Sequence, residues 1–261
     1  MRNHLGPLTD DDRGMSEVVG FVLVFSLALT TIGMVYMGGY AGLQDTRDAE
    51  QINNAERAFD VLANNIDQMA RNEAPFRATE VKLAEAELST TGHYSVRTNS
   101  TSFEAAQTAG PVAIVYSIGD DTEIVYEHGA VIRMDGDSGI MIREPDLLFD
   151  NQSTVLRYIE IRGGNQHIAG STTVLVRGER QQLRNLESVS DPGPGETVTF
   201  NLTTEPSRAP IWEEYLESEI HWEEDSCDLA GTGNETVVCE FDLDEDGSIH
   251  VSRSRIQITL T

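Results

Sequence analysis

Three groups of residues in this sequence could carry chemistry. Asp242-Leu243-Asp244-Glu245-Asp246-Gly247 has the D-x-D-x-D-G opening of a calcium loop, where alternate carboxylates ligate a hard cation and the glycine permits a sharp turn. Its twelfth position is Arg253, where such a loop needs a closing carboxylate, and both flanks are strand-like. A hairpin turn on an acidic surface accounts for the segment better. We expect no metal site, with Asp242, Asp244 and Asp246 the one candidate set. Cys227 and Cys239 bracket eleven residues that include Gly231, Gly233 and Asn234, a loop leading into a strand from Val237. Such a loop can bring two Cα atoms within disulfide range, and an oxidising exterior would pair them. The alternative is two small buried residues that never meet. Finally, Asn99, Asn151, Asn201 and Asn234 each open an N-x-Ser/Thr sequon, and only Asn165 and Asn185 are further asparagines beyond Asn99. Exterior N-glycosylation at these four is therefore a candidate modification.

No catalytic constellation accompanies them. The chain lacks G-x-S-x-G, H-E-x-x-H and a P-loop, and its six histidines are scattered. Carboxylate pairs are expected by chance among 44 acidic residues, so they give no support to glycosidase chemistry. We expect a non-enzyme without a cofactor.

The elements that must position these residues differ sharply along the chain. From Val18 to Gln44 there is no charged residue, and the apolar run of about 26 residues would span roughly 39 Å as a helix, more than a bilayer core requires. Tyr36 and Tyr40 sit toward its far end, where amphipathic rings favour the membrane interface. Gly38 and Gly42 form a G-x-x-x-G pair that would let two helices approach closely, although glycine is also common in membrane helices generally. Beyond Leu43 no Gly or Pro occurs until Pro75, and Ile52, Ala55, Phe59, Leu62, Ile66 and Met69 recur at alternating steps of three and four. The pattern predicts one helix from about Ser16 to about Arg71. Its outer half can pack on a partner helix, on the protein's own domain, or on both.

The charge balance is extreme. The formal net charge is -26, and Lys82 is the single lysine against seventeen arginines. In multi-molar salt repulsion between carboxylates is screened, and a carboxylate-rich, lysine-poor surface holds water well. The composition points to an extreme halophile and argues against a nucleic-acid partner, because phosphate binding needs clustered basic residues.

Just ahead of the apolar run stands Arg13-Gly14-Met15-Ser16-Glu17. A secretory signal would instead place its small-residue cleavage site after a shorter apolar stretch. The arrangement resembles the class III signal of archaeal type IV pilins and archaellins. The resemblance covers about 30 residues. It implies that a prepilin-type peptidase cuts between Gly14 and Met15 and leaves the apolar helix on the mature chain. Glu17 would then be the third residue, and the leader carries Asp10, Asp11 and Asp12 beside Arg13. A carboxylate at the edge of hydrocarbon is costly unless paired. A freed ammonium on Met15, of the same or a neighbouring subunit, would supply the pair; snorkelling at a helix N-terminus is the alternative. The resemblance implies a homo- or hetero-oligomer held through the N-terminal helix. The competing reading is a single-pass surface protein that never polymerises.

From Ala78 the period changes to short alternating runs. Strands are predicted at 80–88, 94–98, 112–118, 122–126, 130–134, 139–143, 155–161, 172–177, 197–202, 237–243 and 249–260, with one helix at 210–216. The expected fold is α+β: a long N-terminal transmembrane and amphipathic helix, then a mainly antiparallel β-sandwich-like domain. The expected organisation is a leader at 1–14, a membrane or filament-core helix at 15–44, its exterior extension at 45–75 and an acidic exterior domain at 76–261.

Overall fold

A computed structural model of the chain describes residues 11–107, 110–119, 121–190, 196–222 and 226–261; for 11–17, 39–45 and 185–190 only the backbone is described. In chain order the elements are α1 (Asp11–Ala70), β1 (Phe76–Lys82), β2 (Ala86–His93), β3 (Ser95–Asn99), β4 (Glu104–Ala106), β5 (Val112–Ile118), β6 (Thr122–Glu127), β7 (Ala130–Asp135), β8 (Ser138–Arg143), β9 (Ser153–Arg162), β10 (Gln166–Gly170), β11 (Thr173–Ser190), β12 (Thr197–Thr203), α2 (Ala209–Glu219), β13 (Cys227–Ala230), β14 (Thr236–Asp242) and β15 (Ser248–Leu260). Two compact units divide after Ile52, so the last third of α1 belongs with the β domain.

The fold is α+β, with a sandwich-like domain built from three sheets. Sheet A has the order β1-β11-β15-β9, sheet B β10-β2-β5-β6-β7-β8, and sheet C β13-β14-β12-β3-β4. All ladders are antiparallel except β15 with β9. Period-two alternation decides which face of each strand is buried. Thus Val174, Val176, Ile256 and Ile258 of sheet A turn toward Leu88, Ile114, Tyr116, Ile124 and Tyr126 of sheet B.

The outer seam of α1 fills this space. Ala55, Phe59, Leu62, Ile66 and Met69 are almost wholly buried in the same core, so the seam packs on the protein's own domain. Met69 lies against Gly178 of β11, where an added Cβ would stand 2.5 Å from the methionine methyl carbon. The glycine lets helix and sheet close up. The helix ends by a Schellman arrangement: Asn72 takes φ 67°, Glu73 N donates to Gln68 O and Asn72 N donates to Met69 O. A second core joins sheet C to α2, to the other face of β7, and to Leu156, Tyr158, Ile249 and Val251 of sheet A.

Several expectations are corrected. The strand predicted at 80–88 is two strands, parted where Glu85 adopts φ 68°. β4, β10 and β13 were not predicted, and β11 runs on to Ser190. Each is short or polar, and pairing with a neighbour supplies what its own pattern lacks. The acidic segment 242–247 is no hairpin, because β14 and β15 belong to different sheets.

Candidate membrane and assembly site

Within the first unit, Val18–Gly38 has a mean hydropathy of 2.4 and none of it is buried. Phe21, Leu23 and Met37 are 69%, 65% and 74% exposed. At about 1.5 Å per residue these 21 residues reach about 32 Å, the thickness of a hydrocarbon core. Both threonines inside the run are already served: Thr30 Oγ1 donates to Ser26 O and Thr31 Oγ1 to Leu27 O, both at 2.8 Å. Neither hydroxyl needs an outside partner, so the helix can enter an apolar medium at small cost. Length and composition suit this helix to anchoring in a membrane. Gly20, Gly33 and Gly38 leave the helix surface open, with nothing within 4 Å of an added Cβ. Gly14 and Met15 fall within the backbone of α1. The side chains of Met15 and Glu17 and the surroundings of Gly42 lie outside the described residues.

In the second unit α1 is tied to the sheets by charge as well as packing. Arg143 of β8 donates to Asp60 at 2.7 Å and to Asp67 at 2.8 Å, and Arg133 of β7 reaches Glu56 at 3.2 Å. Burial pushes the Asp67 carboxyl above its ordinary range, against the pull of Arg143. Asn65 Nδ2 donates to Thr79 Oγ1, and Ser254 Oγ closes on the Ala70 carbonyl at the helix end.

Sheet C gathers the cysteines and three of the sequons. Cys227 and Cys239 are bonded to each other and stand directly opposite in the β13–β14 ladder, with Cα atoms 4.0 Å apart. The segment between them is therefore a hairpin rather than a loop leading into a strand. Asn99 ends β3, and Asn201 lies in β12 opposite Arg97 and Val238; both are half-buried on the outer face of the sheet. Their sequon hydroxyls are engaged: Thr101 Oγ1 donates to Glu196, and Thr203 Oγ1 lies 2.9 Å from Thr236 Oγ1, itself part of the Asn234 sequon. Asn234 is exposed in the β13–β14 turn at φ 58°. Asn151 is half-buried and donates to Asp244 Oδ1. Among the four, Asn234 offers the freest amide.

The three carboxylates of the calcium-like segment do not converge. Asp242 accepts from Thr197 Oγ1 at 2.8 Å and Asp244 from Asn151 Nδ2 at 3.2 Å, and among the described residues no cluster of three metal-binding side chains forms.

Two buried charge networks escaped the sequence reading. Glu127, at the end of β6, is 1% exposed; its carboxylate accepts from Thr204 Oγ1 at 2.7 Å, Arg208 Nε at 3.1 Å and Trp212 Nε1 at 2.6 Å. It anchors α2 to the turn of a buried hairpin, His128-Gly129, whose residues take φ 50° and 95°. Glu160 of β9 is wholly buried among Arg162, Arg253 and Arg255, with Arg255 Nε 3.0 Å away. Neither glutamate stands out in a sequence so rich in carboxylates, since only the register brings their partners together.

Residues 13–259 match a family described as "Family of unknown function (DUF7289)". The chain belongs to the DUF7289 family. The match takes in α1 with the β domain, so the apolar helix is part of what defines this DUF7289 protein. Comparison with curated proteins found no match, nor did comparison with solved structures.

Proposed function

We propose that this DUF7289 protein is a type IV pilin-like structural subunit of a haloarchaeal cell-surface filament, serving adhesion or surface contact. One observation carries the reading. An apolar stretch of 21 residues has no burial within its own chain, follows a Gly14-Met15 motif, and continues as one helix whose outer part is built into the β domain. Such a stretch needs a membrane before assembly and neighbouring helices after it. The acidic, lysine-poor composition supports the halophilic setting, and the Cys227–Cys239 bond supports an oxidising exterior. In this reading Glu17 pairs with a freed Met15 ammonium, and Gly38 with Gly42 admits the neighbouring helix.

Mass spectrometry of the protein from cells tests processing, and electron microscopy of the cell surface tests assembly. The expected mature chain begins at Met15, and Gly14→Val blocks the cut and leaves cells without the filament. A chain still beginning at Met1, on cells bearing no filament that contains it, would overturn the reading in favour of a permanently anchored surface protein.

A further inference from the structure

The outward face of sheet A carries a charge opposite to that of the chain. Ladder register sets out its rows across β9, β15 and β11. Arg253 and Arg184 form one row, bordered by Tyr158 of the second core; Glu160, Arg255 and Gln182 form the next, then Arg162, Gln257 and Glu179, and then Thr259 beside Arg177. The opposite face of these strands is the apolar one that covers α1. Five arginines therefore share this patch with two carboxylates, and one of these, Glu160, is wholly buried among three of the guanidiniums. Arg177 and Arg184 are exposed and have no carboxylate partner among the described residues, in a chain with 44 acidic side chains to offer. Beside them a depression of about 710 Å³ is lined by Phe76, Ala78, Leu175, Arg177, Glu179 and Thr259, with Phe76 68% exposed.

A net charge of -26 makes most contacts between two copies repulsive. A contact that uses the arginine face escapes this, provided the other copy presents carboxylates to it. Two arginine faces repel each other, so a two-fold axis does not run through the patch itself. The patch therefore pairs with a different surface of the other copy, and such a head-to-tail contact propagates unless it closes as a ring or as a reciprocal dimer. The counterpart is in the same unit: the turn between β14 and β15, where Asp242, Asp244, Glu245 and Asp246 are all exposed and no basic residue intervenes. Asp242 and Asp244 are held by Thr197 and Asn151. Glu245 and Asp246 have no ion-pair partner among the described residues.

We propose that the outer face of sheet A is the receiving half of a head-to-tail contact that takes the acidic turn Asp242–Asp246 of a second copy of this chain. The proposal rests on the filament reading for its setting and adds where the β domains of neighbouring subunits meet. The size of the patch favours a turn over a polyanion. From Arg253 to Thr259 is roughly 20 Å along the strand, and β9 to β11 is roughly 10 Å across. A nucleic acid or anionic bilayer extends past that footprint and meets the surrounding carboxylates, whereas one turn does not. Arg253 is buried and Arg255 partly so, and ion pairs formed beside them survive salt that would screen fully exposed ones.

Charge exchange on the full chain in detergent micelles tests the contact by sedimentation velocity over a concentration series. Wild type should self-associate. Arg177→Glu with Arg184→Glu should weaken association at least about tenfold, as should Glu245→Arg with Asp246→Arg. Mixing the two double variants should restore association to about the wild-type level, because each then offers what the other lacks. The altered side chains are exposed, and unchanged near-ultraviolet circular dichroism verifies that each variant is folded. Double variants that associate like wild type would overturn the proposal and leave a filament held by its helices alone. Losing binding to phosphatidylglycerol vesicles while self-association stays intact would overturn it in favour of a lipid occupant. A wild type that stays monomeric throughout, and builds no filament on cells, would sink both this proposal and the filament reading.

Discussion

His128 gives the domain a specific weakness toward acid. The residue forms the tip of the β6–β7 turn, is 1% exposed, and sits among Tyr94, Tyr158 and Trp212 with ring centroids 5.8 to 6.3 Å away. Gln107 Nε2 lies 3.2 Å from its Nδ1, and its Nε2 has no partner among the described residues. Burial pushes the imidazole from its ordinary value of 6.5 down to about 3. The folded state therefore keeps His128 neutral where the unfolded chain protonates it. Between pH 6.5 and about 3 the unfolded state binds the extra proton, so stability falls as pH falls. At 1.36 kcal/mol per unit, the loss by pH 5 is about 2 kcal/mol from this group alone. Asparagine is the useful replacement, since it tolerates φ 50° and does not titrate. Chemical denaturation of wild type and His128→Asn at pH 7 and pH 5, in constant salt, isolates the term, because every other titrating group is common to both. His128→Asn should start less stable, having lost ring packing, but should lose about 2 kcal/mol less on acidification. Equal losses in the two proteins would refute the claim that His128 is desolvated and neutral.

Three further outcomes are expected. Glu127→Gln leaves Arg208 charged and buried without its counter-ion, which should cost about 3–5 kcal/mol in denaturant unfolding; a cost under about 1 kcal/mol would mean that water already reaches the pair. Replacing Cys227 and Cys239 together by serine opens a cross-link spanning 12 residues and should lower stability by about 3 kcal/mol relative to the oxidised protein, while reductant should have no effect on the double variant. Lowering salt from molar to about 0.1 M should depress the melting temperature measured by circular dichroism, because the net charge of -26 is then poorly screened; an unchanged melting temperature would count against halophilic adaptation.

How much of this was legible beforehand depended on the range of the interaction. The extent of α1 to Ala70 followed from local pattern: an uncharged run, a three-four seam and no Gly or Pro between Leu43 and Pro75; the helix itself starts at Asp11, ahead of the start expected near Ser16. β5, β6, β7 and β8 announced themselves because apolar β-branched runs alternate with Gly-Asp turns, and that chemistry acts within a few residues. β13 did not, since Cys227–Ala230 gains its place only by pairing with β14. The same limit hid the charge networks. In a chain with 44 acidic residues nothing local distinguishes Glu127 or Glu160 from the rest. They differ because α2 carries Arg208 and Trp212 to one, while a parallel ladder between strands almost a hundred residues apart lays Arg255 beside the other. Sequence alone determined the long helix, the apolar run and most of the strands, because backbone preference and hydrophobic period are properties of neighbours along the chain. The tertiary structure decided which charges are buried, which pair and which face solvent together, because these depend on register between strands far apart in sequence, which is fixed only when the buried faces of those strands pack together.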